Sequence, residues 1–223
     1  MQKFATTAPI LAVLDIHAGR IQLIAADRAD ATVDVRPAVP GKGRDEKAAE
    51  QITASYTDGV LRVEAAEPKN QLFGATGSVE VTVQLPAGSR VEAKAAAADL
   101  RGVGRLGDVA FDGAQATVKL DETAGARLTV QDGTVTVGRL DGPAEISTQK
   151  GDIRITEAVR GAVALRTEHG DIAVGAARGT SATLDAGTAY GRVENTLMNA
   201  VGAGAELAVT ATTSYGDITA RSL

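Results

Sequence analysis

The sequence predicts an all-β protein, a β-solenoid preceded by an antiparallel β-sheet region. A corner of glycine, aspartate and isoleucine begins at Gly151 and returns at Gly170 and Gly216. Looser copies begin at Gly133 and Gly191, and neighbouring corners lie 18 to 25 residues apart. Such a period, joining strands to glycine-rich corners, is typical of repeat proteins in which each coil buries its apolar face against the next.

Apolar residues occupy fixed places around these glycines. The column two residues after each glycine contains Val135, Ile153, Ile172, Val193 and Ile218. The column seven residues before each glycine contains Ala126, Ala144, Val163, Leu184 and Val209. Because side chains alternate along a strand, both columns are predicted to face inward. Val118 and Leu100 extend the pattern backwards, and 25 glycines with only three Phe, three Tyr and no Trp suit thin, closely stacked layers.

The antiparallel region is assigned to residues 1–88 and the solenoid to 89–223. The alternative that the two form one continuous domain stays open. Alternating apolar residues predict the strands and turns of the antiparallel region. The predicted elements are a hairpin of 11–16 and 20–25 turning at Gly19, a strand at 32–36, a hairpin of 52–56 and 60–65 turning at Asp58-Gly59, a loop at 67–77 and a strand at 78–85. A solvated loop with a short helical turn is predicted at 40–50.

The corner residues are interpreted first as structural. Glycine supplies a positive φ angle, and the following carboxylate accepts hydrogen bonds from nearby turn amides. This interpretation covers Gly133, Gly151, Gly170, Gly191, Gly216, Asp152, Asp171 and Asp217. The calcium-binding β-roll needs tandem G-G-x-G-x-D repeats, which are absent, so no metal site is predicted.

A candidate interaction surface lies one residue before each corner glycine. This row contains Asp132, Lys150, His169, Tyr190 and Tyr215. It is either a plain exposed strand face or a partner-binding ridge centred on His169, Tyr190 and Tyr215. Three residues before the glycines lie Val130, Thr148, Thr167, Thr188 and Thr213, and the four threonines are predicted to form a β-compatible ladder. Leu197 and Met198 lie in the longest interval and either cap the solenoid or dock a second subunit.

Composition argues against several classes of function. A net charge of -5 offers no basic field for nucleic acid. The chain has no cysteine, its two histidines, His17 and His169, lie far apart in sequence, and no nucleophile elbow, P-loop or dinucleotide motif is present. We therefore expect no enzyme activity and no cofactor. Neither a membrane span nor a convincing export signal is found, so a cytoplasmic protein is predicted.

Several motifs together resemble a known group of proteins. They are the Pro9-Ile10 strand, the Asp58-Gly59 hairpin, the Val-x-Val-x-Leu-Pro strand and the serial Thr-x-x-Gly-Asp-Ile corners. The chain resembles, over nearly its whole length, bacterial β-strand-repeat proteins of unknown function labelled putative adhesins. The resemblance implies a β-solenoid without established catalysis, with a link to envelope stress in some relatives.

Three functions are expected from the residues and the resemblance together. The first is a protein-interaction or scaffold module that binds an unknown protein partner. The second is a structural protein that self-associates. The third is a β-helix protein that binds or cleaves glycans.

Overall fold

The computed structural model describes residues 1–6, 8–65 and 77–223. The seventeen strands within these residues belong to one hydrogen-bonded sheet. In chain order they are β1 (Gln2–Ala5), β2 (Leu11–Ala26), β3 (Asp30–Pro37), β4 (Ile52–Thr57), β5 (Val60–Ala65), β6 (Val79–Pro86), β7 (Arg90–Gln115), β8 (Val118–Asp132), β9 (Val135–Leu140), β10 (Ala144–Lys150), β11 (Ile153–Ala158), β12 (Gly161–His169), β13 (Ile172–Ala176), β14 (Ala182–Tyr190), β15 (Val193–Thr196), β16 (Leu207–Tyr215) and β17 (Ile218–Ser222). One α-helix, α1 (Gly43–Glu50), and a 3-10 helix, Gly202–Gly204, are also present. Apart from Gly77, the predicted loop at 67–77 lies outside the described residues.

The chain forms coils of two arms that meet at a corner. The coils, numbered in chain order, are coil 1 (11–26), coil 2 (90–106), coil 3 (108–123), coil 4 (125–140), coil 5 (144–158), coil 6 (161–176), coil 7 (182–196) and coil 8 (207–222). Equivalent residues of neighbouring coils pair in parallel, as Ile153 does with Val135 and Ile172. The predicted β-solenoid class is confirmed.

The inward columns of both arms form one hydrophobic core. Val135, Ile153, Ile172 and Ile218 are buried, as the repeat predicts. Val193 is the exception, with 44% of its surface exposed. Its coil is the outermost one among the described residues, and β15 pairs there with β17 on one side and with no strand on the other.

The coils do not stack in the order of the sequence. In coil 8, β16 pairs with β12 of coil 6 on one side and with β14 of coil 7 on the other. In the same way, β17 lies between β13 and β15. Coil 8 is therefore inserted between coils 6 and 7, and the expectation that coils follow sequence order is wrong for this pair. Residues 197–206 carry the chain back inward from the outermost coil.

The predicted hairpin at Gly19 is wrong. Residues 11–26 form a single strand, and both its halves pair in parallel with β7. Gly19 has a φ of +131°, and a Cβ placed there would lie 1.8 Å from the carbonyl oxygen of Val79. It is the corner glycine of coil 1, where the strand bends around the core without reversing.

The N-terminal end of the array is covered by antiparallel strands. β4 pairs with β5, β3 with β6, and β1 with β3, all in the antiparallel sense. The predicted Asp58-Gly59 hairpin is confirmed, with φ angles of 51° and 79°. β2, however, pairs in parallel with both β6 and β7, so the sheet continues across residue 88.

Helix α1 occupies the region predicted as a loop with a helical turn. It packs against β3, β4 and β6 at the covered end. Its buried Asp45 accepts a hydrogen bond from the backbone N–H of Ser78 through Oδ1, at 3.1 Å.

Candidate functional site

The corner glycines allow neighbouring coils to approach closely. Gly151 has a φ of +138°, and a Cβ there would lie 2.1 Å from the carbonyl oxygen of Gly133. Gly191 does not adopt a left-handed φ, which differs from the sequence expectation. A Cβ at Gly191 would nevertheless lie 2.0 Å from the oxygen of Gly216. Close backbone approach, more than φ, is therefore what these corners share.

A buried threonine ladder runs behind the corners. Thr148 donates to Oγ1 of Thr167 at 2.8 Å, and Thr167 donates to the carbonyl oxygen of Gly151 at 3.1 Å. Thr213 and Thr188 donate to the glycine oxygen of the coil beneath each of them. Thr148, Thr167 and Thr213 are buried, so this ladder is internal and is not part of the working surface. The sequence contained a signal for this burial, since Thr148 and Thr167 lie two residues after Ile146 and Leu165 and so share the strand face of these buried residues.

The corner aspartates link each coil to the next. Oδ1 of Asp152 accepts the N–H of Asp171, and Oδ1 of Asp171 accepts the N–H of Asp217, both at 2.8 Å. Oδ1 of Asp217 accepts the N–H of Arg192 at the same distance. Coil 7 has arginine in place of aspartate, so the row ends there. Nowhere in the described ranges do three or more Asp, Glu or His side chains form a group suited to a metal ion.

The residues just before the corners form an exposed row that we call the corner ridge. It consists of Lys150, His169, Tyr215 and Tyr190, in that spatial order. The order differs from that of the sequence because coil 8 lies inside coil 7. The insertion places Tyr215 between His169 and Tyr190, so that three aromatic rings become direct neighbours.

These three rings form a continuous stack. The ring centroids of His169 and Tyr215 lie 4.9 Å apart with an interplanar angle of 8°, and those of Tyr215 and Tyr190 lie 4.8 Å apart at 3°. Parallel in-register strands place equivalent residues about 4.8 Å apart, a distance at which near-parallel rings stack with an offset. Tyr215 and Tyr190 are 50% and 67% exposed. The stack thus presents aromatic ring edges and one free ring face to solvent.

The two apolar residues proposed as a cap or docking patch behave differently. Leu197 is half-buried and packs against the hydrophobic core. Met198 is 58% exposed, although its backbone N–H donates to Oγ of Ser222 at 2.9 Å. Leu197 therefore packs onto the core, while Met198 lies on the surface of a segment held to coils 7 and 8 by hydrogen bonds.

An open groove of about 500 Å³ crosses the first arms of coils 2 to 5, away from the corner ridge. Small residues such as Gly125 and Ala110 line it together with charged side chains. The charged residues are Arg90, Glu92, Asp108, Arg127 and Glu145. Nε of Arg90 lies 3.9 Å from Oδ2 of Asp108, and Nε of Arg127 lies 3.6 Å from Oε2 of Glu145. These arginine side chains partly neutralise the two carboxylates. No sequence motif marked this groove, because its residues come from four coils.

Three perturbed ionisable groups belong to structural ion pairs. Hydrogen bonds from Arg28 and Lys3 lower the pKa of Asp30 to about 2. The N–H of Ser78 lowers the pKa of Asp45, and the carboxylate of Glu157 raises the pKa of Arg139. Lys3 and Asp30 connect β1 to β3, Arg139 and Glu157 connect β9 to β11, and Asp45 connects α1 to the residue before β6. His17 and His169 are both exposed, and coils 2 to 5 lie between their coils.

The stacked coils, the internal threonine ladder and the corner hydrogen bonds define a β-solenoid repeat protein. The chain belongs to the Toastrack DUF4097 family, which matches residues 13–222. No curated protein matches it. Among the described helices, none has the length and apolar character needed to cross a membrane.

The solved structures that the chain is similar to include three named as putative adhesins or a putative cell adhesion protein. A putative adhesin from Bacteroides fragilis is 13% identical over 98% of this chain and 95% of its own, with a TM-score of 0.50. A putative cell adhesion protein from Clostridium sporogenes is 11% identical over 100% and 98%, with a TM-score of 0.43. A putative adhesin from Parabacteroides distasonis is 15% identical over 100% and 95%, with a TM-score of 0.41. At 13% identity the likeness to the Bacteroides fragilis structure concerns the fold alone.

Proposed function

We propose that this protein is a non-catalytic binding module that holds a protein partner along the corner ridge. The observation that carries the proposal is the exposed stack of His169, Tyr215 and Tyr190. Aromatic side chains supply much of the binding energy in protein interfaces, because they bury a large area with few rotatable bonds. An exposed stack of three is costly for a surface that binds nothing.

The ridge is also held in place before any partner arrives. The backbone that carries each ring is hydrogen-bonded to that of the neighbouring coil, with Gly170 N–H donating to the carbonyl of Tyr215 at 2.9 Å and Gly216 N–H to that of Tyr190 at 3.0 Å. A partner therefore pays little for ordering these side chains. The description of the Bacteroides fragilis structure as a putative adhesin is in keeping with binding as the role of this fold.

The test uses a photo-crosslinking phenylalanine analogue at Tyr215 in the native cell. We expect it to capture a discrete protein, identified by mass spectrometry, that the same analogue at Val201 does not capture. Val201 is 62% exposed and lies off the ridge, which makes it a matched control. With the partner purified, Tyr190→Ser together with Tyr215→Ser should weaken binding about thirtyfold, as the loss of about 2 kcal/mol predicts. Unchanged affinity in a double variant that still folds would reject the ridge.

Glycan binding or cleavage is the second candidate, favoured by the charged groove on coils 2 to 5. Carboxylates such as Glu92 and Glu145 line it, and glycosidases use pairs of carboxylates. Incubation with a panel of polysaccharides distinguishes the two candidates. Turnover that disappears in Glu145→Gln would favour the groove and contradict a non-catalytic role.

We also propose that the protein acts in the cytoplasm, in connection with the cell-envelope stress response. A chain with no cysteine suits a reducing compartment. Fractionation of native cells, followed by immunodetection with and without envelope stress, tests both parts. Recovery from the envelope fraction under all conditions would contradict the cytoplasmic location.

A further inference from the structure

We propose that two copies of this chain pair tail to tail, with the outer edge of coil 7 in one copy bonded to the outer edge of coil 7 in the other. The proposal concerns a surface formed by the arms β14 and β15 and does not depend on the identity of the ridge's partner. It rests on the hydrogen bonds that each coil makes with the next, on the exposed core position at this end, and on the contrast between the two ends.

The coil-to-coil hydrogen bonds follow a fixed rule. The N–H of each corner glycine donates to the carbonyl of the residue before the next corner, as Gly151 does to His169 at 2.8 Å and Gly216 to Tyr190 at 3.0 Å. The N–H of the residue two positions after each corner glycine donates to the carbonyl of the residue that follows the next corner glycine, as Ile218 does to Arg192 at 2.9 Å. By the same rule, the N–H groups of Gly191 and Val193 point out of the array.

Coil 7 also exposes a position that is part of the core everywhere else. Val193 is 44% exposed, whereas its counterparts in the other four corner repeats are buried. Within the described part of the chain, no strand pairs with the outer side of β14 or β15. Neither strand contains lysine or proline, the residues with which proteins commonly protect a free sheet edge. At the start of β14 the N–H of Ala182 already donates to the carbonyl of Met198 at 3.0 Å. The rest of this edge has the donors, the acceptors and the apolar surface of an unfinished coil interface.

The opposite end differs, and this difference favours a second copy placed tail to tail. There β4 lies beside α1, while β1 carries the exposed Lys3, which pairs with Asp30 at 2.9 Å. Stacking head to tail would bring this charged, antiparallel edge against coil 7 and would continue without limit. A two-fold axis instead uses the same open edge twice and closes the assembly as a dimer.

Charges favour an axis that passes through the corner. In that arrangement the first arm of one copy lies antiparallel to the second arm of the other, and Arg192 lies near the partner's Tyr190, a cation–π geometry. In this arrangement Asp185 and Glu194 each lie apart from the equivalent residue of the other copy. An axis through the middle of β14 would instead bring the two Asp185 side chains together, at a cost from like charges.

The first experiment measures mass against concentration by light scattering and analytical ultracentrifugation. We expect a monomer–dimer equilibrium in the wild type that Val193→Lys shifts at least tenfold towards monomer, because a lysine at the free edge opposes pairing. Val201→Lys, at a more exposed valine on residues 197–206, should leave the equilibrium unchanged. The thermal melt of Val193→Lys should match that of dilute wild type, which shows that the monomer is intact.

The second experiment locates the axis, using the absence of cysteine from the chain. Tyr190→Cys lies beside the corner, so oxidation should yield a covalent dimer. A covalent dimer from Ala186→Cys alone would overturn the corner axis, and one from Val201→Cys alone would place the contact on another surface. A wild type that remains monomeric at all concentrations would overturn the proposal and leave the ridge proposal standing.

Discussion

The two ends of the array solve the same edge problem in different ways. At the N-terminal end three antiparallel pairings and α1 follow the last parallel strand, and ion pairs of Lys3, Arg28 and Asp30 hold the outer strands together. At the other end the array stops at coil 7, whose corner lacks the aspartate and whose core position is exposed. The repeat therefore stabilises the array only through contacts between coils, while the stability of each end depends on the elements that cover it.

Removal of residues 207–223 tests this comparison most severely. Coil 8 buries Leu207, Val209 and Ile218 between its neighbours, at roughly 2 kcal/mol for each side chain. We expect its deletion to lower the free energy of unfolding by about 6 kcal/mol and to release coil 7. Chemical denaturation and hydrogen exchange over 182–196 measure both effects.

Deletion of residues 1–5 is the matched control for that truncation. β1 is largely exposed and, among the described strands, pairs only with β3, so its loss should cost much less. Equal losses at the two ends would contradict the contrast drawn between them.

A charged residue introduced into the same apolar column should destabilise the interior of the array much more than its open end. Ile153→Asp places an unpaired carboxylate in a buried site and should cost about 4 kcal/mol. Val193→Asp occupies the equivalent place in coil 7, where solvent reaches the side chain, and should cost less than about 0.5 kcal/mol. Urea denaturation of the monomer measures both, and similar losses would mean that coil 7 is covered in solution.

A methyl group at a corner tests how closely the inserted coil is held. Gly216→Ala would put Cβ 2.0 Å from the carbonyl oxygen of Gly170, so coil 8 must shift, at about 3 kcal/mol. Gly187→Ala is the control, since nothing lies within 4 Å of its Cβ. This change should leave the protein as stable or raise stability by about 0.5 kcal/mol. Thermal melts that fall equally would argue against close contact at the corner.

The smallest effect concerns the ion pairs at the covered end. Because Arg28 and Lys3 lower the pKa of Asp30 from 3.8 to about 2, the ionised carboxylate stabilises the folded state. This contribution to stability is complete at pH values above 3.8 and is lost as the pH falls towards 2. We therefore expect Asp30→Asn to be less stable than wild type at neutral pH, with the difference vanishing near the lower value. Denaturation curves across this pH range measure it, and a constant difference would reject the assignment.

The sequence was informative wherever a residue's role repeats. Ile153 and Ile172 were correctly placed in the core, because alternation and the corner spacing both indicate an inward position. The threonine ladder obeyed the same alternation, but the polarity of Thr148 and Thr167 suggested a surface. The corner at Gly19 was missed because no aspartate follows it, and an isolated glycine between two apolar runs is equally typical of a hairpin.

The exchanged order of coils 7 and 8 could not be deduced from spacing alone. The long interval between Gly191 and Gly216 fits a bulging loop as well as a return path. One signal was available, since Arg192 and Asn195 replace an aspartate and an apolar residue, and terminal repeats are often atypical. The aromatic stack was consequently predicted as a row but not as three touching rings.

The insertion of coil 8 has a consequence for biosynthesis. The ribosome makes residues 182–196 before 207–222, yet β14 and β15 find their strand partners only in β16 and β17. While translation proceeds, coil 7 must therefore wait unpaired or associate temporarily with coil 6 and later yield that place. A nascent chain halted between the two coils would be the form in which this segment is most open to chaperones, proteases and wrong neighbours.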